Sequence, residues 1–122
     1  MGVGVALVSE GRILLIKRGR QPGKGLWAVP GGKVKLGEPL KVAARREIVE
    51  ETGLEIEVGE VIWVGEVLEE EHHLVLIDFD GVVTGGDLQA SDDAEEARWV
   101  PLEEASSYPL TLTMYDLIET LT

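Results

Sequence analysis

The 122-residue chain has no cysteine, which excludes disulfides, thiolate metal centres and cysteine nucleophiles. Positive charge is scarce as well. Eleven Lys and Arg stand against 23 Asp and Glu, a formal net charge of −12, which works against nonspecific binding to polyanionic DNA or RNA. A small phosphorylated substrate stays open, provided that a divalent cation neutralises it locally. No apolar run approaches the roughly 18 to 20 residues that cross a bilayer, and Met1 leads into a strand-like segment rather than a charged leader. The expectation is a cytoplasmic protein without membrane or nucleic-acid partners.

What the chain does have is a globular composition: 44% hydrophobic and 28% charged residues, with fifteen Gly and five Pro spread along it. Its length suits one domain over 1–122. The β-branched-rich runs 3–8 and 12–17, split by Ser9, Glu10 and Gly11, read as a hairpin. Residues 19–25, rich in Gly and basic side chains, read as a surface loop, followed by a short extended segment over 26–30 and the pair Gly31 and Gly32. The stretch 39–52 reads as a helix, with Pro39 suited to a first helical position and Gly53 to a C-terminal cap. Leu40, Ala44 and Ile48 give it an apolar face. Three further strands are expected over 56–68, 74–83 and 97–100. Met114, Leu117, Ile118 and Leu121 recur at the spacing of an amphipathic C-terminal helix, with Thr113 and Asp116 placed like a capping box. The order predicts an α/β fold, a mixed sheet sandwiched between helices.

The chemistry concentrates in residues 32–54, GKVKLGEPLKVAARREIVEETGL. Helical geometry puts Glu47, Glu50 and Glu51 within a sector of about 100°. Like charges so close repel, so a positive partner is expected among them. Hard oxygen donors without His or Cys suit Mg²⁺ or Mn²⁺, and such ions usually bridge a protein to substrate phosphates. The loop over 31–38 offers glycines that let backbone approach closely and a carbonyl for a further ligand. Arg46 can orient a glutamate and balance its charge.

From Gly32 the segment runs glycine, five residues, Glu38, seven residues, Arg46, Glu47, the aliphatic Ile48, one residue, Glu50, Glu51, one residue, Gly53 and the aliphatic Leu54. That pattern resembles the complete signature of the Nudix hydrolases, with no departure at a specified position. The resemblance implies a Nudix-type α/β/α sandwich and metal-assisted hydrolysis of a nucleoside diphosphate linked to another moiety. It implies that Glu47, Glu50 and Glu51 bind the metal, with Arg46 organising them. Glu38 would support the loop and the metal shell, and Gly32 would permit the loop's turn.

Outside the signature, Nudix enzymes often supply a further glutamate as base or ligand. Residues 92–96 resemble the place where many members carry it, so Glu95 and Glu96 are the candidates, and the run Glu69, Glu70, Glu71 a second option. Arg18 and Arg20 could meet a substrate phosphate. Trp27 could stack on a base, although tryptophans in strand runs more often pack in the core. His72 and His73 point to opposite faces if they lie in a strand.

Residues diagnostic of the longer ADP-ribose pyrophosphatases and of the dinucleoside polyphosphate hydrolases are absent near Leu68 to Glu71. The segments GLWAVPGG (25–32) and ARWVPL (97–102) look more like short ADP-ribose pyrophosphatases. The alternatives are a MutT-like nucleoside triphosphate pyrophosphohydrolase and a nucleotide-binding module that has lost catalysis. A homodimer through a strand edge stays open.

Overall fold

Strands β1 (Gly2–Ser9) and β2 (Arg12–Arg18) pair antiparallel, Val8 opposite Ile13. Their connection puts Glu10 at φ 52° and Gly11 at φ 75°, the doubly left-handed turn that matches the twist of a tight hairpin. The chain here is a computed structural model that describes residues 1–21, 23–68, 73–90 and 94–122. Glu69, Glu70, Glu71, His72 and Asp92 lie outside the described residues.

Beyond the hairpin come β3 (Trp27–Ala28), β4 (Gly31–Lys33), helix α1 (Leu40–Thr52), β5 (Leu54–Leu68), β6 (His73–Gly86), β7 (Ala94–Pro101) and helices α2 (Leu102–Ala105) and α3 (Leu112–Leu121). The sheet runs β3-β2-β1-β6-β5, with β4 added to β1 and β7 to β2. Among the described strands β1 and β6 pair in parallel, Gly4 beside Asp78, and the other strand pairings are antiparallel. The sheet is therefore mixed, as the element order suggests.

Side chains alternate across this sheet and build a core on each face. Val3, Val5, Leu7 and Leu14 meet Ala43, Ala44 and Ile48 of α1. On the other face Ala6, Ile13 and Leu15 meet Met114, Leu117 and Ile118 of α3. The near-continuous apolar runs of β1 and β2 follow from being covered on both sides.

Three sequence expectations need correction. Gly31 to Lys33 is a strand on β1 rather than the start of a loop, because two residues without side chains can lie flush against Val3 and Gly4. The region expected as a polar connection over 84–96 is strand at both ends, since β6 continues to Gly86 and β7 starts at Ala94. The capping box at Thr113 and Asp116 does not form. The N-cap of α3 is Thr111, and Asp116 accepts the indole N–H of Trp63 at 2.9 Å. Helix α1 begins at Leu40, with Pro39 as its N-cap, and ends on Gly53 at φ 73°.

Candidate active site

Helix α1 is fixed at its C-terminal end. Thr52 is fully buried; its hydroxyl donates to the Ile48 carbonyl at 2.6 Å and accepts the Leu54 N–H at 3.2 Å. Gly53 donates its N–H to the Val49 carbonyl. A side chain on Gly53 would meet the Asp87 carbonyl oxygen at 2.8 Å, so left-handed backbone and close packing both call for glycine there. These contacts set the rotation of α1 and bring Glu47 and Glu51 against β4.

Arg46 organises the acidic cluster. Its Nε and Nη2 donate to the two oxygens of Glu38 at 2.7 and 2.9 Å, a bidentate pair. Nη1 donates to Glu47 at 2.9 Å and to Glu50 at 3.2 Å, and Nη2 also reaches the Lys33 carbonyl at 3.0 Å. One guanidinium thus ties the loop, strand β4 and two helix glutamates together. It is the positive partner that the repelling carboxylates require. The bonds from Arg46, then the Lys35 N–H, hold the Glu38 carboxyl down at about 2. Pairing with Glu38 raises the guanidinium in turn, so Arg46 stays charged throughout.

Glu51 is turned inward, 6% exposed, and accepts the Gly31 N–H at 2.7 Å. Glu47 lies over Gly32 so closely that a Cβ there would collide with its carboxylate. Glycine at 32 is needed for close approach, and its backbone is not left-handed. Glu50 stands further out, with a side chain 43% exposed. Among the described residues no three acidic or histidine side chains converge as a ready cation cage. Arg46 donates to Glu47 and Glu50, and the Gly31 N–H to Glu51. The donor set itself, three carboxylates within one helical turn beside exposed glycine backbone, fits a hard divalent cation of the Mg²⁺ type.

The other sequence candidates lie on β2, β3, β7 and the loop that follows β2. Glu95 pairs with Lys17 at 3.7 Å and Glu96 with Arg98 at 2.7 Å, both on β7 with β2 as its neighbour. Arg18 ends β2 with its side chain packed against Gly23, and Arg20 is exposed in the loop that follows. Trp27 is 6% exposed in the α3-side core. Its ring meets Tyr108 edge-on at 5.3 Å and carries Arg98 at 5.1 Å. The Lys33 carbonyl, within the 31–38 segment expected to offer one, meets Arg46, while the Gly31 N–H escaped the sequence reading because a backbone group leaves no compositional signal. Asp78, a buried carboxyl on β6, does leave one: it interrupts the apolar run LVLIDFD over 74–80.

The Nudix domain family matches residues 1–121. The chain belongs to the Nudix family. The ADP-ribose pyrophosphatase of Methanocaldococcus jannaschii is 43% identical over 95 residues, covering 76% of this chain and 56% of that protein. A putative 8-oxo-dGTP diphosphatase of Bacillus subtilis is 40% identical over 104 residues, 81% of this chain and 64% of the relative. The chain thus spans less than two thirds of the length of these two relatives. The crystal structure of a MutT Nudix hydrolase from Burkholderia pseudomallei superposes with a TM-score of 0.90 at 34% identity, covering 99% of this Nudix chain and 96% of the other. No helix among the described residues is long and apolar enough to cross a membrane.

Proposed function

We propose that this Nudix protein is a divalent-cation-dependent pyrophosphohydrolase that cleaves the diphosphate of a nucleoside diphosphate linked to another moiety, with ADP-ribose as the favoured type of substrate. The observation that carries this reading is the join of α1 to β4, where Arg46 holds Glu38, Glu47 and Glu50 while Glu51 bonds to Gly31. In this reading Glu47, Glu50 and Glu51 hold Mg²⁺, or Mn²⁺ in its place, and the backbone of Gly32 lies beside them. The ion supplies charge neutralisation for the diphosphate and a more acidic bound water.

Water adds to one phosphorus, the bond from that phosphorus to the bridging oxygen breaks, and that oxygen leaves on the other phosphate. Arg46 and Glu38 keep the glutamates oriented through the step. Glu95 and Glu96 are the residues offered for the proton of the attacking water, and Arg18 and Arg20 for the outer phosphate.

ADP-ribose is placed first because the Methanocaldococcus jannaschii relative, 43% identical, is named for that substrate. The second reading, MutT-like hydrolysis of oxidised nucleoside triphosphates, is favoured by the Bacillus subtilis relative and the Burkholderia pseudomallei structure. The cytoplasm is the compartment that this reading proposes, and pairing of two copies along the edge strand β5 is compatible with it.

Incubation of the protein with Mg²⁺ and a panel of ADP-ribose, other nucleotide sugars and nucleoside triphosphates, with products identified by chromatography, tests it. AMP and ribose 5-phosphate from ADP-ribose support the first reading. A nucleoside monophosphate and pyrophosphate from triphosphates alone move the assignment to the second. Nucleotide binding without any turnover identifies a binding module and overturns both.

A further inference from the structure

The α3 face of the sheet carries a carboxyl that the hydrolytic machinery does not use. Asp78 is 7% exposed, yet among the described residues no hydrogen bond or ion pair reaches its side chain. No fully buried side-chain oxygen in the described residues lacks a partner. The unpaired carboxyl oxygens of Asp78 therefore keep their small exposure and open toward solvent. A buried polar group without a partner is costly, so this carboxyl is suited to a partner that arrives from outside.

Its surroundings define what that partner looks like. Asp78 sits beside Gly4 of β1 and opposite Trp63 of β5. A Cβ on Gly4 would stand 2.5 Å from the Asp78 Oδ1, so only glycine leaves the carboxyl its place. The Trp63 indole packs against the α3-side core and reaches over Gly65, where a Cβ would collide with the ring, and its N–H is spent on Asp116 at 2.9 Å. The result is a half-buried indole, anchored through its N–H, across the strand pair from one unpartnered carboxyl. That pairing of features matches a flat heterocycle with N–H groups on its edge.

The place fits the rest of the substrate. Gly4 pairs with Asp78 on one side and with Gly31 on the other. Gly31 is the residue bonded to Glu51. Gly31 is thus two strand spacings, about 10 Å, from Asp78, a span that a nucleoside crosses round the edge of β4 when its diphosphate is held there.

We infer that Asp78 reads the base of the nucleotide substrate, with Trp63 as the surface on which that base lies, and selects bases that bear an amino group over uracil. This deepens the pyrophosphohydrolase reading and rests on it. Guanine presents two parallel N–H groups to an ionised carboxylate, a bidentate match. Adenine and cytosine present an amino N–H beside a ring nitrogen acceptor, which the acid form matches with one donor and one acceptor. Burial pushes the Asp78 carboxyl up to about 6, which keeps that acid form within reach near neutrality. Uracil offers a single N–H flanked by two carbonyl oxygens, so one carboxylate oxygen faces a like charge.

The test is equilibrium binding of AMP, GMP, CMP and UMP to the wild-type protein with Mg²⁺, followed by the same titrations on Asp78→Leu. At least one amino-bearing monophosphate is expected to bind about tenfold or more tighter than UMP. In Asp78→Leu, whose side chain has neither donor nor acceptor, that ratio should collapse. The ratio of kcat/KM values for the matching triphosphates should follow it, through KM.

UMP binding the wild type as well as the other three overturns the inference without any variant being made. An unchanged ranking in a folded Asp78→Leu does the same, as does the lack of binding by all four. Because binding is read without turnover, a wild type that binds selectively but hydrolyses nothing sinks the hydrolase reading and leaves the base assignment intact.

Discussion

The Glu51 carboxylate accepts the backbone N–H of Gly31 at 2.7 Å, joining residues twenty apart. This bond seats α1 on β4 and places an inward-facing acid beside the glycine backbone where a diphosphate would lie. Glu51→Gln keeps the size and can keep the bond through its amide oxygen, while losing the negative charge. The expected outcome is a loss of kcat of about 100-fold or more with a melting temperature close to wild type. Steady-state rates across a Mg²⁺ titration check this, and near-wild-type turnover would remove Glu51 from the metal site.

Gly32→Ala introduces a Cβ into the position of the Glu47 carboxylate. Glu47 must swing away and loosen its bond to Arg46. A displacement of this kind near the reacting groups is expected to cost about tenfold to 100-fold in kcat/KM, although no catalytic side chain is removed. Unchanged kinetics would mean that the approach of Glu47 to Gly32 has no catalytic consequence.

Arg46→Lys retains charge but loses the planar fork that serves Glu38, Glu47, Glu50 and the Lys33 carbonyl together. The Glu38 carboxyl is held at about 2, below its usual 4.5, by Arg46 first and the Lys35 N–H second. A lowered carboxyl contributes stability that is fully present above its unfolded value of 4.5 and is lost as pH falls toward about 2. The variant should therefore unfold at a higher pH on acid titration. Circular dichroism between pH 5 and about pH 2 reads the shift, and an unmoved acid transition would count against it.

Asp78 acts in the opposite sense. Its carboxyl is raised from 3.8 to about 6 by burial, so the folded protein holds the proton more tightly than the unfolded chain. It costs nothing below 3.8; the cost grows as pH rises toward about 6 and is complete above that. Asp78→Asn should therefore stabilise the fold above pH 6, by up to about 3 kcal/mol, and make no difference near pH 3. Urea denaturation at both pH values measures the two effects. Equal effects at both would deny the titration.

Trp27→Phe distinguishes core from substrate contact. With Trp27 buried between Tyr108 and Arg98, the change should destabilise by about 1 to 3 kcal/mol and leave the KM of the folded enzyme unchanged. A large rise in KM with little change in melting temperature would return Trp27 to the substrate site.

Much of this protein was legible in its residues, because the signals concerned are local. The hairpin follows from Glu10 and Gly11 between two β-branched runs. Helix α1 follows from Pro39, the Leu40, Ala44, Ile48 spacing and Gly53, and the acidic cluster from the spacing of Glu38, Arg46, Glu47, Glu50 and Glu51. These depend on backbone preference and helical period, which neighbours in sequence set by themselves. What needed the tertiary structure was every pairing between distant segments. That Gly31 and Gly32 form a strand depends on β1 lying beside them, and that Asp116 serves Trp63 depends on how α3 crosses the sheet. The inward turn of Glu51 and the unpartnered state of Asp78 likewise come from which surfaces meet. A side chain's partners across a fold are decided by packing, and packing is a property of the whole chain at once.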